Sequence, residues 1–404
     1  MVDMAVSTTD ELRLFSLGFL VPVFLIGLAG CLLLTWTTQE RGLAVCPDGR
    51  TYLTSARLIS EGRGYRDFPH GDDWLEPEPV TQFPPLYPMF LALGRVAGLQ
   101  ENQGARILQI VLYMGNVTLL GWMVARVLRS RPSGWLAAAL FAFAPTFLYA
   151  HLWVWSEPLC FLLMISCLYN LARFETSASW QLLALATLFC GLALLTRFAA
   201  LSLLLCCCGL LLVGRGELRA RMQNSAAMGA FGALVFGGWM LRNVLVAERA
   251  TAFEQHVALS TAEYATVQRT MSEWVLPLPI WTGFKVAALL FVLGLACFAF
   301  VRAARVPAEV RLPRERLAVM GGTLALVHFA FVLASRRLVG TALEPNDRIL
   351  GPTLLGLIML GVSSVHGRGR YVLAVVACVW LAGSVLYLLG VHEQGLAYMG
   401  VNWR

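Results

Sequence analysis

Two acidic residues, Asp48 and Glu157, lie where an apolar segment meets a polar one, and a carboxylate at such a place can take up a proton or hold a cation. Asp48 follows the first apolar segment, residues 14–36, and precedes the amphipathic run GRTYLTSARLIS. Glu157 lies in the tripeptide Ser-Glu-Pro, which is typical of a helix start. Each acid also has a local structural explanation. Asp48 can cap a helix that begins near Gly49, and Glu157 suits the dipole of its helix.

The composition shows what kind of protein must position these acids. The chain has 404 residues, of which 58% are hydrophobic and 14% charged, with a mean hydropathy of +0.68. A soluble protein of this length would have about a quarter charged residues, so the composition indicates a polytopic membrane protein. The net charge of +7 comes from arginines in short loops between apolar segments, which argues against nucleic-acid binding. Nine of the ten cysteines lie inside apolar segments, so a disulfide framework is not expected.

Apolar segments long enough to cross a bilayer, about 20 residues each, recur along the chain. There are about eleven, near residues 14–36, 105–126, 134–150, 157–173, 178–195, 198–213, 225–246, 283–303, 317–335, 349–365 and 371–390. The first is too long for a cleaved signal peptide and is predicted to remain as a helix. The apolar stretch 86–98 is too short to cross, so we expect it at the membrane interface or as a re-entrant segment.

Arginine placement predicts the orientation of these segments. Arginines cluster in four short loops, near residues 126–131, 215–221, 302–316 and 368–370, and the count of segments puts all four on one side. By the positive-inside rule this side is the cytoplasm. The amino terminus is then cytoplasmic, and the two long loops, 37–104 and 247–282, face outwards. Loop 37–104 contains Asp48, followed by a predicted amphipathic helix at the outer surface.

Arginines on the outer side are informative because the positive-inside rule disfavours them there. Arg197, Arg242 and Arg348 are the main candidates. The planar fork of arginine matches the oxygen atoms of a phosphate and stays charged. The structural alternative is that each side chain extends to the lipid headgroups without a further role.

A set of short motifs, all assigned to the outer side, resembles the GT-C-fold integral membrane glycosyltransferases. The similarity is greatest to bacterial relatives of the dolichyl-phosphate-mannose protein mannosyltransferases and of the aminoarabinose lipid A transferase. The motifs are Asp48-Gly49-x-x-Tyr52, Pro84-Pro85-x-Tyr87-Pro88, Ser156-Glu157-Pro158, Thr196-Arg197, Trp239-x-x-Arg242-Asn243 and Arg348-x-x-x-Pro352. The resemblance covers residues 14–250 well and the last third weakly. Many relatives have a glutamate where this chain has Gly49, so any role of a second carboxylate at that position is lost.

The resemblance implies an all-α polytopic membrane protein with the GT-C fold, about eleven transmembrane helices and amphipathic helices in the first outer loop. It divides the chain in two. Residues 1–250 form a core module of seven spans with the catalytic loop 37–104, and residues 251–404 form the second outer loop and four variable spans. The implied location is the bacterial cytoplasmic (inner) membrane.

The implied activity is transfer of a hexose or pentose from a polyprenyl-phosphate donor to a lipid, glycan or protein acceptor on the outer face. Asp48 would act as general base in an inverting displacement. The donor phosphate would be held by Arg197, Arg242 and Arg348. Candidate residues of the substrate cavity are Tyr52, Tyr87, His151, Glu157 and Asn243.

The resemblance leaves open whether the protein uses a metal. Some members hold a divalent cation such as Mg²⁺ or Mn²⁺, for which Asp48 and Glu157 would be the ligands here, and others use none.

Three other classes compete with a transferase. A transporter or flippase of envelope lipids or glycans predicts ionisable residues inside spans and broken helices. A polysaccharide polymerase or ligase predicts a large outer loop late in the chain, and a non-catalytic GT-C-like protein predicts no activity. Most spans lack ionisable residues and the longest outer loop comes first, which favours the transferase.

Overall fold

The protein is helical almost throughout in the computed structural model, which describes residues 17–68, 75–248, 261–275, 281–339, 347–365 and 369–390. In chain order the helices are α1 (Leu17–Thr37), α2 (Pro47–Ser60), α3 (Leu86–Val96), α4 (Glu101–Leu128), α5 (Arg131–Phe143), α6 (Pro145–His151), α7 (Glu157–Ser177), α8 (Trp180–Leu194), α9 (Leu201–Leu212), α10 (Leu218–Ala247), α11 (Thr261–Val275), α12 (Thr282–Ala304), α13 (Pro313–Val339), α14 (Asp347–Ser364) and α15 (Gly369–Gly390). Two strands, β1 (Arg66–Asp67) and β2 (Glu78–Pro79), pair in antiparallel fashion within loop 37–104, which is called the first outer loop after its predicted side.

The apolar helices form a multi-pass membrane bundle. Within the described residues, six are long and apolar enough to span a bilayer: α1, α4, α7, α10, α12 and the stretch Pro313–Ser335 of α13. Helices α5 and α6 together are long enough for a seventh span, with a 60° bend between them. The bend falls at Pro145, which cannot continue the hydrogen-bond ladder of α5. Shorter apolar helices coincide with the remaining predicted segments, so the positions agree, while a count of eleven crossings stays a prediction.

Outward-facing apolar side chains line the lipid-facing surface of this bundle. On α12, Leu290, Phe291 and Phe298 are 66–68% exposed, which suits contact with hydrocarbon chains. The bundle interior instead contains buried aromatic and aliphatic residues of α4, α5, α7 and α13. The lipid-facing surface of the bundle is therefore apolar, as expected for helices surrounded by lipid.

Helices α13 and α14 approach each other very closely at two glycines. A Cβ atom on Gly321 would lie 2.6 Å from the carbonyl oxygen of Gly356, and one on Gly356 would lie 2.5 Å from that of Gly321. Small residues at such contacts let two membrane helices pack backbone to backbone. Because α14 begins about two turns before Gly356, the contact helps to set the position of Arg348 in the first turn of α14.

The first outer loop folds back onto the bundle through backbone hydrogen bonds. The N–H of Ala44 donates to the carbonyl of Leu152, and the N–H of Val154 donates to the carbonyl of Ala44, both at 2.9 Å. These bonds fix the chain just before α2 against the chain just before α7. The starts of these two helices, which contain Asp48 and Glu157, are therefore held side by side. The apolar stretch 86–98, predicted to lie at the interface or to re-enter, forms the helix α3, and its position relative to the membrane stays a prediction.

Candidate functional site

Asp48 lies in the first turn of α2, one residue after Pro47. The N-cap is Cys46, in extended conformation and without a side-chain cap bond, so the capping role expected for Asp48 is not observed. A proline in the first turn and an acid near the positive end of the helix dipole are both favourable. The carboxylate of Asp48 thus does not cap its own helix and can pair with residues that are distant in sequence.

Gly49, the residue after Asp48, packs closely against the chain just before α7. A Cβ at Gly49 would lie 3.0 Å from the carbonyl oxygen of Val154 and 3.2 Å from its Cβ. This crowding follows from the backbone pairing that joins the two helix starts. The second carboxylate near Asp48 comes instead from Glu157, across that pairing.

Four charged residues, Asp48, Glu157, Arg197 and Arg348, meet near the ends of these helices. We call them the outer charge cluster, after the side of the membrane that the sequence predicts for them. Nη2 of Arg348 lies 2.6 Å from Oδ2 of Asp48, and its Nε contacts Oε1 of Glu157. Nη1 of Arg197 lies 2.8 Å from the same Oε1. Side-chain exposure is 3% for Glu157, 8% for Arg348, 11% for Arg197 and 20% for Asp48. The two acids and two arginines sum to zero charge, as buried ions require.

An aromatic wall supports the cluster from one side. The guanidinium carbon of Arg348 lies 4.5 Å from the centroid of the Trp155 ring, a close cation–π contact. Trp155 stacks on Trp153 with 5.0 Å between centroids and 10° between planes, and its indole N–H donates to the sulfur of Cys46 at 2.9 Å. Arg348 is therefore held by a ring face as well as by two carboxylates.

Ser156 and Tyr52 connect the cluster to the core beneath it. Arg197 donates to the hydroxyl of Ser156 at 3.0 Å, and this hydroxyl shares a hydrogen bond of 3.2 Å with that of Tyr52. Burial raises the pKa of Tyr52 above its usual range, so the phenol stays neutral. The hydroxyl of Tyr87 accepts from Gln109 at 3.0 Å, and the two tyrosine rings meet edge to face. Both predicted cavity tyrosines are fully buried and lie under the charged groups.

His151, also predicted for the cavity, is fully buried in the bundle. Its Nδ1 donates to the carbonyl of Phe147 at 2.6 Å, and its Nε2 lies 3.4 Å from the amide nitrogen of Asn116. Neither Phe147 nor Asn116 belongs to the outer charge cluster, so the contacts of His151 that the structure describes lie within the bundle. Its role in the cavity stays a prediction.

Arg242 and Asn243, at the end of α10, contact the hairpin loop, and we call this contact the loop clamp. Arg242 donates to the carbonyl of Val80 at 2.6 Å and lies 4.9 Å from the ring centroid of Trp239. The Asn243 amide donates to the carbonyl of Thr81 at 3.2 Å. Two of the residues predicted for the site thus attach the first outer loop to the bundle.

His328 is a buried polar residue near the cluster that was not predicted as a site residue. Its Nε2 donates to the carbonyl of Ile349 at 2.8 Å, and its Nδ1 lies 2.7 Å from the hydroxyl of Ser202. Because Ile349 follows Arg348, this contact fixes the turn that presents the arginine. An ionisable residue inside a membrane segment is itself a signal of function, and that signal would have found it.

A small cavity of about 10 Å³, room for about one water molecule, borders the cluster between the start of α7, the turn before α9 and the start of α14. Its lining combines Glu157, Arg197 and Arg348 with apolar side chains such as Phe161, Met164 and Ile349. The lining is therefore charged at one end and apolar along the rest.

The residues of the cluster do not form a site for a divalent cation as they stand. Asp48 and Glu157 are the two acids that the sequence offered, and the guanidinium of Arg348 contacts both of them. No group of three or more His, Cys, Asp or Glu side chains in the described ranges is arranged around a common point. A site for Mg²⁺ or Mn²⁺ places oxygen ligands directly around the metal ion. In the cluster, the guanidinium of Arg348 takes that place between the two acids.

Comparisons with known proteins agree with this architecture. The family model of dolichyl-phosphate-mannose-protein mannosyltransferases matches residues 82–240, less than half of the chain. No curated protein matches the chain in sequence.

Solved structures extend the likeness to nearly the whole chain. A variant of the arabinofuranosyltransferase AftD from Mycobacteria superposes on 90% of it with a TM-score of 0.56 and 17% identity, although the chain spans only 27% of that protein. ArnT from Cupriavidus metallidurans, bound to undecaprenyl phosphate, superposes on 93% with a TM-score of 0.51 and 16% identity, over 77% of its own length. The chain therefore has the GT-C fold of membrane glycosyltransferases, and its central part resembles the dolichyl-phosphate-mannose-protein mannosyltransferases.

Proposed function

We propose that this protein transfers a sugar from a polyprenyl-phosphate donor to an acceptor hydroxyl on the outer face of the cytoplasmic membrane. The observation that carries this proposal is the outer charge cluster, which brings Asp48 beside two arginines at one end of a GT-C bundle. The cluster brings a candidate general base together with two arginines that suit a phosphate. In the sequence these residues belong to separate motifs.

In the reaction, the acceptor oxygen attacks the anomeric carbon of the donor sugar from the face opposite the phosphate. The acceptor O–H proton passes to the carboxylate of Asp48, which is the most exposed acid of the cluster. The bond between the anomeric carbon and the phosphate oxygen breaks, and its electron pair leaves with the polyprenyl phosphate. One displacement inverts the anomeric configuration.

Arg348 and Arg197 stabilise the charge that develops on the leaving phosphate. Each guanidinium has five N–H donors, and contacts to the carboxylates use only some of them. Oriented cations in a water-poor site lower the barrier without rearranging during the reaction. Arg242 stays a candidate for binding the donor phosphate from the loop clamp.

The donor class is inferred from the cavity and from the structural neighbours. ArnT was solved with undecaprenyl phosphate, which supports a polyprenyl phosphate as the lipid. Phe161, Met164 and Ile349 place apolar side chains next to the arginines, as contact with a lipid phosphate requires. The sugar is a hexose or a pentose, and the acceptor is a lipid, a glycan or a protein.

The orientation is inferred from the arginine-rich loops. Arg215, in one such loop, donates to the carbonyls of Ala308 and Glu309 in another, at 2.9 and 2.8 Å, which supports placing these loops on the same side. That side is the cytoplasm by the positive-inside rule, and the outer charge cluster then faces the periplasm or exterior.

Transport of an envelope lipid is the alternative that a specific observation favours. The bent pair α5–α6 and the buried His328 are features that a transporter also shows. However, Pro145 accounts for the bend, and His328 contacts Ser202 and Ile349 rather than an open path. Both features are thus explained within the packed bundle.

The test compares wild type with Asp48→Asn in proteoliposomes supplied with radiolabelled polyprenyl-phosphate sugars. Loss of a general base is expected to slow release of sugar from the lipid by about 10²–10⁴-fold. Asp67→Asn is the matched control, because Asp67 lies in the same loop but bonds to Thr51 and to the N–H of Phe68. We expect this control to release label at nearly the wild-type rate.

Two results would contradict the proposal. If correctly folded Asp48→Asn releases label as fast as wild type, Asp48 is not the base. If wild type moves labelled lipid across the bilayer but never separates sugar from lipid, the protein is a transporter.

A further inference from the structure

We propose that the guanidinium of Arg348 occupies the place between Asp48 and Glu157 that a divalent cation would take, so that the site works with a built-in cation. This inference rests on the proposed function, because it concerns the same sugar transfer. It assigns Arg348 a role beyond binding phosphate, namely that of permanent counter-ion for both acids.

The contacts place Arg348 as a bridge. Its Nη2 lies 2.6 Å from Oδ2 of Asp48, its Nε contacts Oε1 of Glu157, and only 8% of its side chain is exposed. The two acids come from the starts of α2 and α7, and a carboxylate pair of that kind would bind a divalent ion if nothing lay between. Here the connecting cation is part of the chain.

Charge balance argues against adding a metal to the present arrangement. The two carboxylates contribute −2, and Arg348 and Arg197 contribute +2. A divalent ion would leave the buried cluster at +2, which a low-dielectric site opposes strongly. It could enter only if Arg348 left.

Several contacts hold Arg348 in this place. The ring of Trp155 lies 4.5 Å from its guanidinium carbon, and the carbonyl of the next residue, Ile349, accepts a hydrogen bond from His328 at 2.8 Å. The tight glycine contact between α13 and α14 fixes the helix that presents it. Displacing the guanidinium would break two ion pairs and a cation–π contact together.

A bridging guanidinium can do what a bridging metal ion would do for this reaction. It fixes the relative position of the two carboxylates, and it directs further N–H donors towards a phosphate oxygen. The covalent step is the displacement already described, with the proton going to Asp48 and the bonding electrons to the phosphate. No additional reactant is required.

The first experiment measures Mn²⁺ binding by electron paramagnetic resonance on the full-length protein in detergent, without donor. Wild type should leave the signal of free Mn²⁺ unchanged. Arg348→Gln removes the charge but keeps a polar side chain of similar length, and it should bind one Mn²⁺. The double variant Arg348→Gln/Glu157→Gln should lose this binding, and Arg348→Lys should not acquire it.

A matched control is Arg242→Gln, which removes an outer arginine that contacts carbonyl groups instead of carboxylates. It should bind no Mn²⁺. The inference is overturned if wild type binds one Mn²⁺ that Glu157→Gln abolishes, or if folded Arg348→Gln binds none. Melting temperature in detergent establishes that each variant is folded, and Arg348→Met, tested in the same way, replaces any variant that is not.

The second experiment follows release of sugar in the presence of EDTA. Wild type should keep its rate, Arg348→Gln should lose about 100-fold, and added Mn²⁺ should restore part of the loss. A wild-type rate that EDTA abolishes and Mn²⁺ restores would overturn the inference while leaving the transferase intact. If wild type releases no sugar, the proposed function fails, and the Mn²⁺ titration still decides what lies between the two acids.

Discussion

The outer charge cluster and the loop clamp each place an arginine at the end of an apolar helix, but they give it different partners. In the cluster, Arg348 faces two carboxylates and a tryptophan ring. In the clamp, Arg242 faces the carbonyl of Val80 and the ring of Trp239. The first arrangement cancels charge, whereas the second keeps the positive charge of Arg242 and uses it to hold a loop.

The difference matters because the two sequence motifs looked equivalent. Both arginines adjoin apolar segments on the same predicted side, and both were candidates for the donor phosphate. A guanidinium that pairs with buried acids is part of a balanced unit, so removing one member leaves the others uncompensated. A guanidinium that pairs with carbonyl oxygens can be removed at the cost of its hydrogen bonds alone.

The largest effect is expected for Glu157→Gln, which breaks the cluster at its centre. Glu157 is 3% exposed and contacts both arginines, so its loss leaves two buried guanidinium groups without their shared partner. We expect the free energy of unfolding to fall by about 3–5 kcal/mol. Titration with SDS in mixed micelles measures this value.

The matched control for that change is Glu101→Gln. Glu101 pairs with Arg95 at 2.7 Å, but both side chains are about a third exposed, so the expected loss is under about 1 kcal/mol. Equal losses for the two variants would show that the cluster is no more tightly coupled than a surface pair.

An intermediate effect is expected for Arg242→Gln, which opens the loop clamp. The variant loses the charged hydrogen bond to the carbonyl of Val80, which contributes about 1.5–3 kcal/mol, so the loop should be cut faster by protease. Donor binding should weaken by about tenfold, equivalent to about 1.4 kcal/mol, because the loop that contains Asp48 is held less firmly. Limited proteolysis and the KM for donor measure the two effects.

The control for the clamp is Arg269→Gln, in which the replaced side chain is 80% exposed on α11. It should change neither protease sensitivity nor KM. If Arg242→Gln abolishes turnover as completely as Arg348→Gln while the loop stays resistant, Arg242 binds the phosphate directly and the contrast between the two arginines disappears.

Much of the bundle could be predicted from hydropathy, since every apolar segment of suitable length lies in a helix or a bent pair. The placement of Asp48 and Glu157 at adjacent helix starts also followed from the order of the motifs. Their partners did not, because Arg348 lies 300 residues from Asp48 in sequence and meets it only through the packing of α13 against α14. The division at residue 250 stays a prediction, and Arg348, from the second part, contacts both acids of the first.

Contacts made by backbone atoms were the hardest to predict. The resemblance treats Gly49 as the loss of a second acid, whereas its contact with the Val154 carbonyl leaves little room for a side chain at that position. Tyr52 and Tyr87 stay predictions for the substrate cavity, and the sequence did not indicate that their hydroxyl groups bond to Ser156 and Gln109. The sequence shows which polar groups are present, but the hydrogen-bond partner of each group depends on the tertiary fold.

The smallest effect concerns Asp67, in the hairpin that the clamp holds. Burial raises the pKa of Asp67 above its ordinary value, against the hydrogen bond from Thr51 and the positive charges of Arg50 and Arg57, which lower it. A carboxyl group with a raised pKa in the folded state contributes its full stability at low pH. That contribution is lost as pH rises through the folded pKa, because the unfolded chain ionises more easily.

Asp67→Asn should therefore remove a small decrease in stability with rising pH. Since Asp67 is only partly buried, solvent screening limits the change to under about 1 kcal/mol. Melting temperatures of both proteins between about pH 4 and pH 7 would measure it. Wild type should lose stability relative to the variant as pH rises. A gain in stability relative to the variant would mean that Thr51 and the arginines lower the pKa of Asp67 more than burial raises it. The hairpin would then be stabilised by charge pairing, as the cluster is and the clamp is not.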